Sequence, residues 1–186
     1  MSDRDRSIRR DRTADLLLGE WAVLGVLYSA PTHGFAIATQ LAPGAEVGRI
    51  WSVSRPLVYR SLDQLTTRGF VHQVGDEPGA AGPSRTILAA TRTGRARLRT
   101  WLQTPVDHLR DLRSELLLKI VLADRCGIDL TEMLVAQRRR IETQAAILAT
   151  EREQSGDVTA MWRYEASQAG LRFLDELGRR AEQAGA

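Results

Sequence analysis

Apolar positions fall into helical spacing along most of the chain, interrupted by one alternating segment. Residues 16–29 are apolar on nearly every side, as in a helix packed by neighbours on several faces, and Ala30-Pro31-Thr32 stops it. Residues 33–42 form a short amphipathic helix with Phe35, Ile37, Ala38 and Leu41 as its apolar side, ended by Pro43-Gly44. A third helix starts from Ser54, a good N-cap, tolerates Pro56 in its first turn, and carries Val58, Leu62 and Leu65 to about Arg68, before Gly69 ends it. Residues 70–74 alternate, residues 75–84 are rich in Gly and Pro, and residues 85–90 are a second β-like run, which together read as a hairpin with a long tip. Thr91, with Gly94 three residues on, opens a fourth helix through Trp101. Three helices, a two-stranded wing and a fourth helix is the order of a winged helix-turn-helix domain.

Thr104-Pro105 interrupts the pattern and marks the expected boundary. Beyond it, residues 111–126 set Leu112, Leu116 and Ile120 beside Leu117 and Val121. Residues 130–153 space Leu134, Ile141 and Leu148 by seven, with Leu130, Met133 and Ala145 alongside; residues 157–180 carry Met161, Tyr164, Leu171, Leu174 and Leu177. With no strand to cover them, these helices form either a monomeric bundle or the pairing surface of a twofold dimer. The expected fold is therefore mainly α: a charged N-terminal tail over residues 1–15, a winged helix-turn-helix DNA-binding domain with a small two-stranded wing over 16–103, and a helical dimerisation domain over 104–186.

Charge sharpens this picture. The 186 residues carry a net charge of +3, but residues 1–103 hold 14 Arg against 9 acids, and residues 104–186 hold 12 Lys plus Arg against 14 acids. A basic half beside an acidic one fits either a polyanion partner or an ordinary solvated surface. The most apolar stretch, residues 16–30, contains Glu20 and falls short of the roughly 20 residues a bilayer crossing needs, so the expected compartment is the cytoplasm, with no membrane partner. Cys126 stands alone, and His33, His72 and His108 have no ligand-like spacing, so neither a metal nor another cofactor is expected. No paired carboxylates, Ser/His/Asp set or phosphate-cradling Gly loop appears, which argues against an enzyme.

Several ordered landmarks carry a family likeness. Leu24-Gly25-Val26-Leu27, Pro31-Thr32-His33-Gly34-Phe35, Trp51-Ser52-Val53-Ser54, Val58-Tyr59, Gly69-Phe70-Val71, Gly82-Pro83-Ser84-Arg85, and Thr91 with Gly94 together resemble the PadR family of transcriptional regulators. Trp162 and residues 171–177 resemble the helical dimerisation region of that family's larger members. The resemblance implies a repressor that binds double-stranded DNA as a homodimer and answers to a small aromatic or lipophilic effector. The competing reading is a winged protein-interaction module without DNA.

Residue chemistry selects the candidate DNA contacts. With Val58, Leu62 and Leu65 inward on the third helix, Arg60 points outward, Gln64 lies off that face and Tyr59 flanks it, while Arg55 sits in the first turn. Arg bonds two guanine acceptors at once and Gln does the same for adenine, whereas Ser and Tyr more often bond phosphate. Arg55 and Arg60 are thus candidates for bases, Gln64 for the same groove, and Ser54 and Tyr59 for the backbone. Arg85 resembles the family's wing cation. His33 with Gly34 either anchors a phosphate at the start of the second helix or His33 simply caps that helix; His72 reads as a structural or surface residue. Trp21 and Trp101 either line an effector pocket or fill the core. Arg55-Pro56 before Leu57-Val58-Tyr59 and Thr86-Ile87-Leu88 on the wing depart from the family's usual pattern, so no operator sequence carries over.

Overall fold

The computed structural model describes residues 16–79 and 82–184; the tail expected over residues 1–15 lies outside them. The chain divides into two compact units, Met1–Leu98 and Arg99–Ala186. The division falls inside a helix, a few residues before Thr104-Pro105.

In the first unit, helix α1 (Leu18–Ser29) is the hub: every residue from Glu20 to Tyr28 is buried. Trp21, Leu24 and Leu27 are among the largest fully buried side chains, consistent with a segment apolar all round. Glu20 accepts the Leu17 N–H at 2.8 Å and so holds the chain entering the helix. Strand β1 (Thr32–His33) leads into α2 (Gly34–Gln40), whose Ile37 and following Leu41 are buried. Helix α3 (Arg55–Thr67) buries Val58, Ser61, Leu62 and Leu65. It ends in a Schellman turn: Gly69, at φ 71°, donates to the Thr66 carbonyl at 2.9 Å, and Phe70 N–H donates to Leu65 at 2.8 Å.

Strands β2 (Val71–Gly79) and β3 (Gly82–Ala90) form the wing, and β1 pairs with the other edge of β3 to give a three-stranded antiparallel sheet in the order β1-β3-β2. Two expectations are corrected here. The sheet has a third strand, too short for any periodicity to reveal. The segment expected as a long tip, residues 75–84, is strand up to Gly79 and again from Gly82. The ladder absorbs its glycines through register irregularities at Gln73/Gly75 and Glu77/Gly79, and Pro78 lies on the edge strand, where a missing N–H is tolerated. Helix α4 (Arg92–Leu102) follows. Thr91 fixes its start, accepting the Gly94 N–H at 3.0 Å and donating to the Gly69 carbonyl at 2.8 Å.

The second unit continues from the end of α4. The single helix expected over residues 111–126 is broken into a 3-10 turn (Leu109–Asp111), a π-helical turn (Leu112–Leu116) and α5 (Leu117–Cys126). A π turn shifts the register of the helix face that follows it. Accordingly Leu116, Leu118, Lys119, Leu122 and Ala123 are buried, while Ile120 and Val121 are only half-buried. Helices α6 (Thr131–Ser155) and α7 (Val158–Ala184) form a hairpin across Gly156, which has a φ of 61°. Met133, Gln137, Ile141, Ala145 and Leu148 of α6 are buried, as are Ala160, Ser167 and Leu174 of α7. Met161, expected in that stripe, is instead 51% exposed. The Arg138–Asp175, Arg163–Glu151 and Arg152–Glu165 pairs register the two helices.

Candidate nucleic-acid interface

The side of α3 opposite its buried row presents Arg60 and, one turn on, Asp63, with Tyr59 and Gln64 flanking; all four are exposed. The side chains of Arg60 and Gln64 have no hydrogen-bond or ion-pair partner among the described residues, so their donors are free for a groove edge. Asp63 was not singled out from the sequence, although the same periodicity turns it outward; a carboxylate there is suited to accept from cytosine. Ser54 occupies the N-cap position with an extended backbone, and its hydroxyl makes no capping bond.

Phe35 departs from expectation in an informative way. Its spacing sets it on the expected apolar side of α2, yet it is 49% exposed, because Ile37 and Leu41 already fill the inward face. The Arg55 guanidinium lies 5.2 Å from its ring centroid, and the His33 ring stacks on it at 6.4 Å between centroids with 28° between planes. His33 in turn caps α2, its Nδ1 accepting the Ala36 N–H at 3.1 Å, and its Nε2 stands 3.3 Å from Nη1 of Arg85 on β3. The structure thus brings Arg85, His33, Phe35 and Arg55 into one row running from the wing to the first turn of α3. Phe35 was missed because its outward position depends on how α2 packs.

Gly34 has a steric reason to be glycine. A Cβ there would lie 2.8 Å from Cε1 of Tyr59 and 3.3 Å from Cδ1 of Leu62, so the missing side chain lets α3 lie close on α2 with the Tyr59 ring across the first turn. Across the wing, Arg85 is register partner to Glu77 but makes no ion pair among the described residues. His72 is exposed on β2 and joins none of these contacts. The two tryptophans fall in different units and both are core residues. Trp21 is 1% exposed with Arg97 5.8 Å from its ring. Trp101 is 8% exposed, donates from Nε1 to Glu115 at 3.1 Å, and has Nζ of Lys119 4.9 Å from its ring. Among the described residues no group of His, Cys, Asp and Glu is arranged to hold a metal ion, and no helix is long and apolar enough to cross a membrane.

A buried hub helix, a helix presenting unpaired polar groups, and a hairpin whose cation lines up with it define a winged helix-turn-helix protein. Residues 23–100 match the model of the transcriptional regulator PadR-like family, and over that segment the chain is similar to this family of transcriptional regulators. Similar solved structures include Bacillus subtilis PadR in complex with operator DNA, at 18% identity over 85% of this chain and 96% of that one, with a TM-score of 0.43. Others are smu.1604c from Streptococcus mutans UA159, at 18% identity over 85% and 96% with a TM-score of 0.42, and the PadR-like transcriptional regulator BC1756 from Bacillus cereus, at 19% identity over 89% and 99% with a TM-score of 0.38. No curated protein matches the chain in sequence. The likeness to this family rests on the match over residues 23–100.

Proposed function

We propose that the protein is a DNA-binding transcriptional repressor that acts as a homodimer on a pseudo-palindromic operator. The observation that carries this reading is the outer face of α3, where Arg60 and Gln64 stand exposed and unpartnered next to the Arg85–His33–Phe35–Arg55 row. An α-helix fits the major groove, where Arg and Gln discriminate guanine and adenine, while cations at the wing suit phosphates. Arg55 and Arg60 are assigned to bases with Gln64 beside them, and Ser54, Tyr59, His33, Gly34 and Arg85 to the DNA backbone.

Pairing through residues 104–186 is supported by α7, which leaves Val158, Met161, Trp162 and Phe173 exposed on the side away from its buried Ala160, Ser167 and Leu174. A twofold dimer with one reading helix per chain meets two half-sites about one helical turn, or a multiple of it, apart. Response to a small aromatic or lipophilic effector is part of this proposal, supported by the likeness of residues 23–100 to the PadR-like family, and is tested by release of bound DNA in a panel of such compounds.

The deciding experiment is selection of DNA by the purified protein, starting with the region upstream of its own coding sequence, followed by footprinting. A protected site with inverted symmetry is expected, with an affinity that falls steeply with salt. Arg60→Ala should weaken that site more than random DNA, by about 1–3 kcal/mol of discrimination. Arg85→Ala should weaken both alike. Loss of specific and random binding in equal proportion by both variants would reject the division of roles, and absence of any selected DNA would leave the winged unit as a protein-contact module.

A further inference from the structure

We propose that Nε2 of His33 and the Arg85 guanidinium jointly hold one phosphate oxygen of the DNA backbone, and that the helix cap made by His33 sets the imidazole tautomer this requires. The inference rests on the DNA-binding reading and adds the ligand atom, the two donor atoms and the position of the ring proton.

A neutral imidazole has one N–H and one bare nitrogen, and a guanidinium has donors only. Nδ1 of His33 accepts the Ala36 N–H at 3.1 Å, so Nδ1 is bare and the proton is on Nε2. Nε2 stands 3.3 Å from Nη1 of Arg85. Two donors therefore face the same space. The opposite tautomer lets Nε2 accept from Arg85 but sets an N–H against that of Ala36. It strands a part-buried backbone donor to satisfy an exposed guanidinium that solvent already serves, the costlier of the two choices. A doubly protonated ring sets a donor against each neighbour.

An anionic oxygen resolves this arrangement, accepting from Nε2–H and from the guanidinium in charge-assisted bonds. The two donors are held together by the sheet, since His33 pairs with Ile87, two residues from Arg85 on β3. Glu77, the carboxylate opposite Arg85 in the wing ladder, does not pair with it. The site is built from side-chain donors; the Ala36 N–H already serves the cap.

The test uses the full-length protein, DNA it selects from a random pool, and the same DNA carrying a neutral methylphosphonate at each phosphate in turn. His33→Asn places an amide oxygen where Nδ1 was, so the cap and the unfolding temperature persist while the Nε2 donor is lost. Its affinity should fall about tenfold, the scale of one hydrogen bond to a charged group. One phosphate per half-site should cost the wild type about tenfold when neutralised and cost His33→Asn and Arg85→Ala little more. His33→Asn on the Arg85→Ala background should also lose less than tenfold. Wild-type affinity in His33→Asn, or equal methylphosphonate penalties in all three proteins, overturns the shared oxygen while leaving DNA binding intact. Selection of no DNA by the wild type overturns both readings. Inorganic phosphate that raises the unfolding temperature of the wild type but not of Arg85→Ala, with no sensitive methylphosphonate position, overturns the backbone as the source of the oxygen.

Discussion

The Arg55 guanidinium is carried 5.2 Å from the centroid of the Phe35 ring, so the first turn of α3 is steered by an exposed aromatic residue on α2. A cation over an aromatic face at an exposed site is worth about 0.5–1 kcal/mol. Phe35→Leu should therefore weaken binding to the selected DNA by roughly two- to fivefold without changing the fold. Combined with Arg55→Ala, it should add little to the loss from Arg55→Ala alone. Fluorescence anisotropy on the four proteins of this cycle checks the point; fully additive losses would mean that Phe35 acts on DNA independently of Arg55.

Two glycines should respond differently to alanine. A Cβ on Gly94 would sit 2.2 Å from the carbonyl oxygen of Phe70, a backbone atom held by the Thr91 N–H at 2.9 Å, and the strain should destabilise the protein by about 2–3 kcal/mol. A Cβ on Gly34 meets the ring of Tyr59, which is 43% exposed and can swing away, so stability should fall by less than about 1 kcal/mol while DNA binding suffers from the displaced ring. Denaturant unfolding paired with DNA titration separates the two. Gly34→Ala proving the more destabilising would contradict the packing described here.

Trp162 is 71% exposed near the start of α7, beside Met161 and Val158. A charge at the centre of an apolar pairing surface is costly to desolvate, so Trp162→Glu should shift the protein from dimer toward monomer in sedimentation at tens of micromolar and leave its helix content unchanged. A wild type that is already monomeric under those conditions, or a variant that dimerises as well as the wild type, would remove α7 from the interface.

Acid should loosen the α6–α7 hairpin at its caps. The Thr131 hydroxyl, and then its backbone N–H, hold the Asp129 carboxyl below its ordinary value of 3.8, and the Thr159 N–H does the same for Asp157. Because both values are depressed in the folded state, the stability they contribute is present above pH 3.8 and lost as pH falls through the depressed values. Asp129→Asn should be the less stable protein at neutral pH, and the gap should close on acidification below pH 3.8. Melting curves that stay parallel from neutral pH to pH 2.5 would exclude the carboxylate as the titrating group.

Periodicity was a good guide wherever one face of a helix is buried and the other is wet. It located α1 from unbroken apolarity, α3 from Val58, Leu62 and Leu65, and α6 from Ile141 and Leu148. It failed where the cause is not periodic. Gly75 and Pro78 look like loop residues, yet an edge strand tolerates them. The π turn at Leu112–Leu116 has no signature in spacing, and it moves the buried face off Ile120 and onto Lys119. In the candidate interface the sequence offered Arg60 from helical spacing and residue type, and Arg85 from its place on the wing and the family resemblance. The row joining Arg85 to Arg55 could not be read there, because it depends on a two-residue strand bringing His33 beside β3.

Lys119 is the chain's one lysine, and it is buried at 1% exposure with its Nζ on the Thr104 carbonyl at 2.5 Å and on Glu115 at 2.9 Å. Every other fixed cation is therefore a guanidinium, which stays protonated far above the pH at which an amine discharges. Enzymatic acetylation of lysine has no exposed side chain to act on, and amine-directed coupling finds no exposed lysine. The positive surface of this protein is thus a permanent one, which neither alkaline conditions nor the commonest charge-removing modification can switch off.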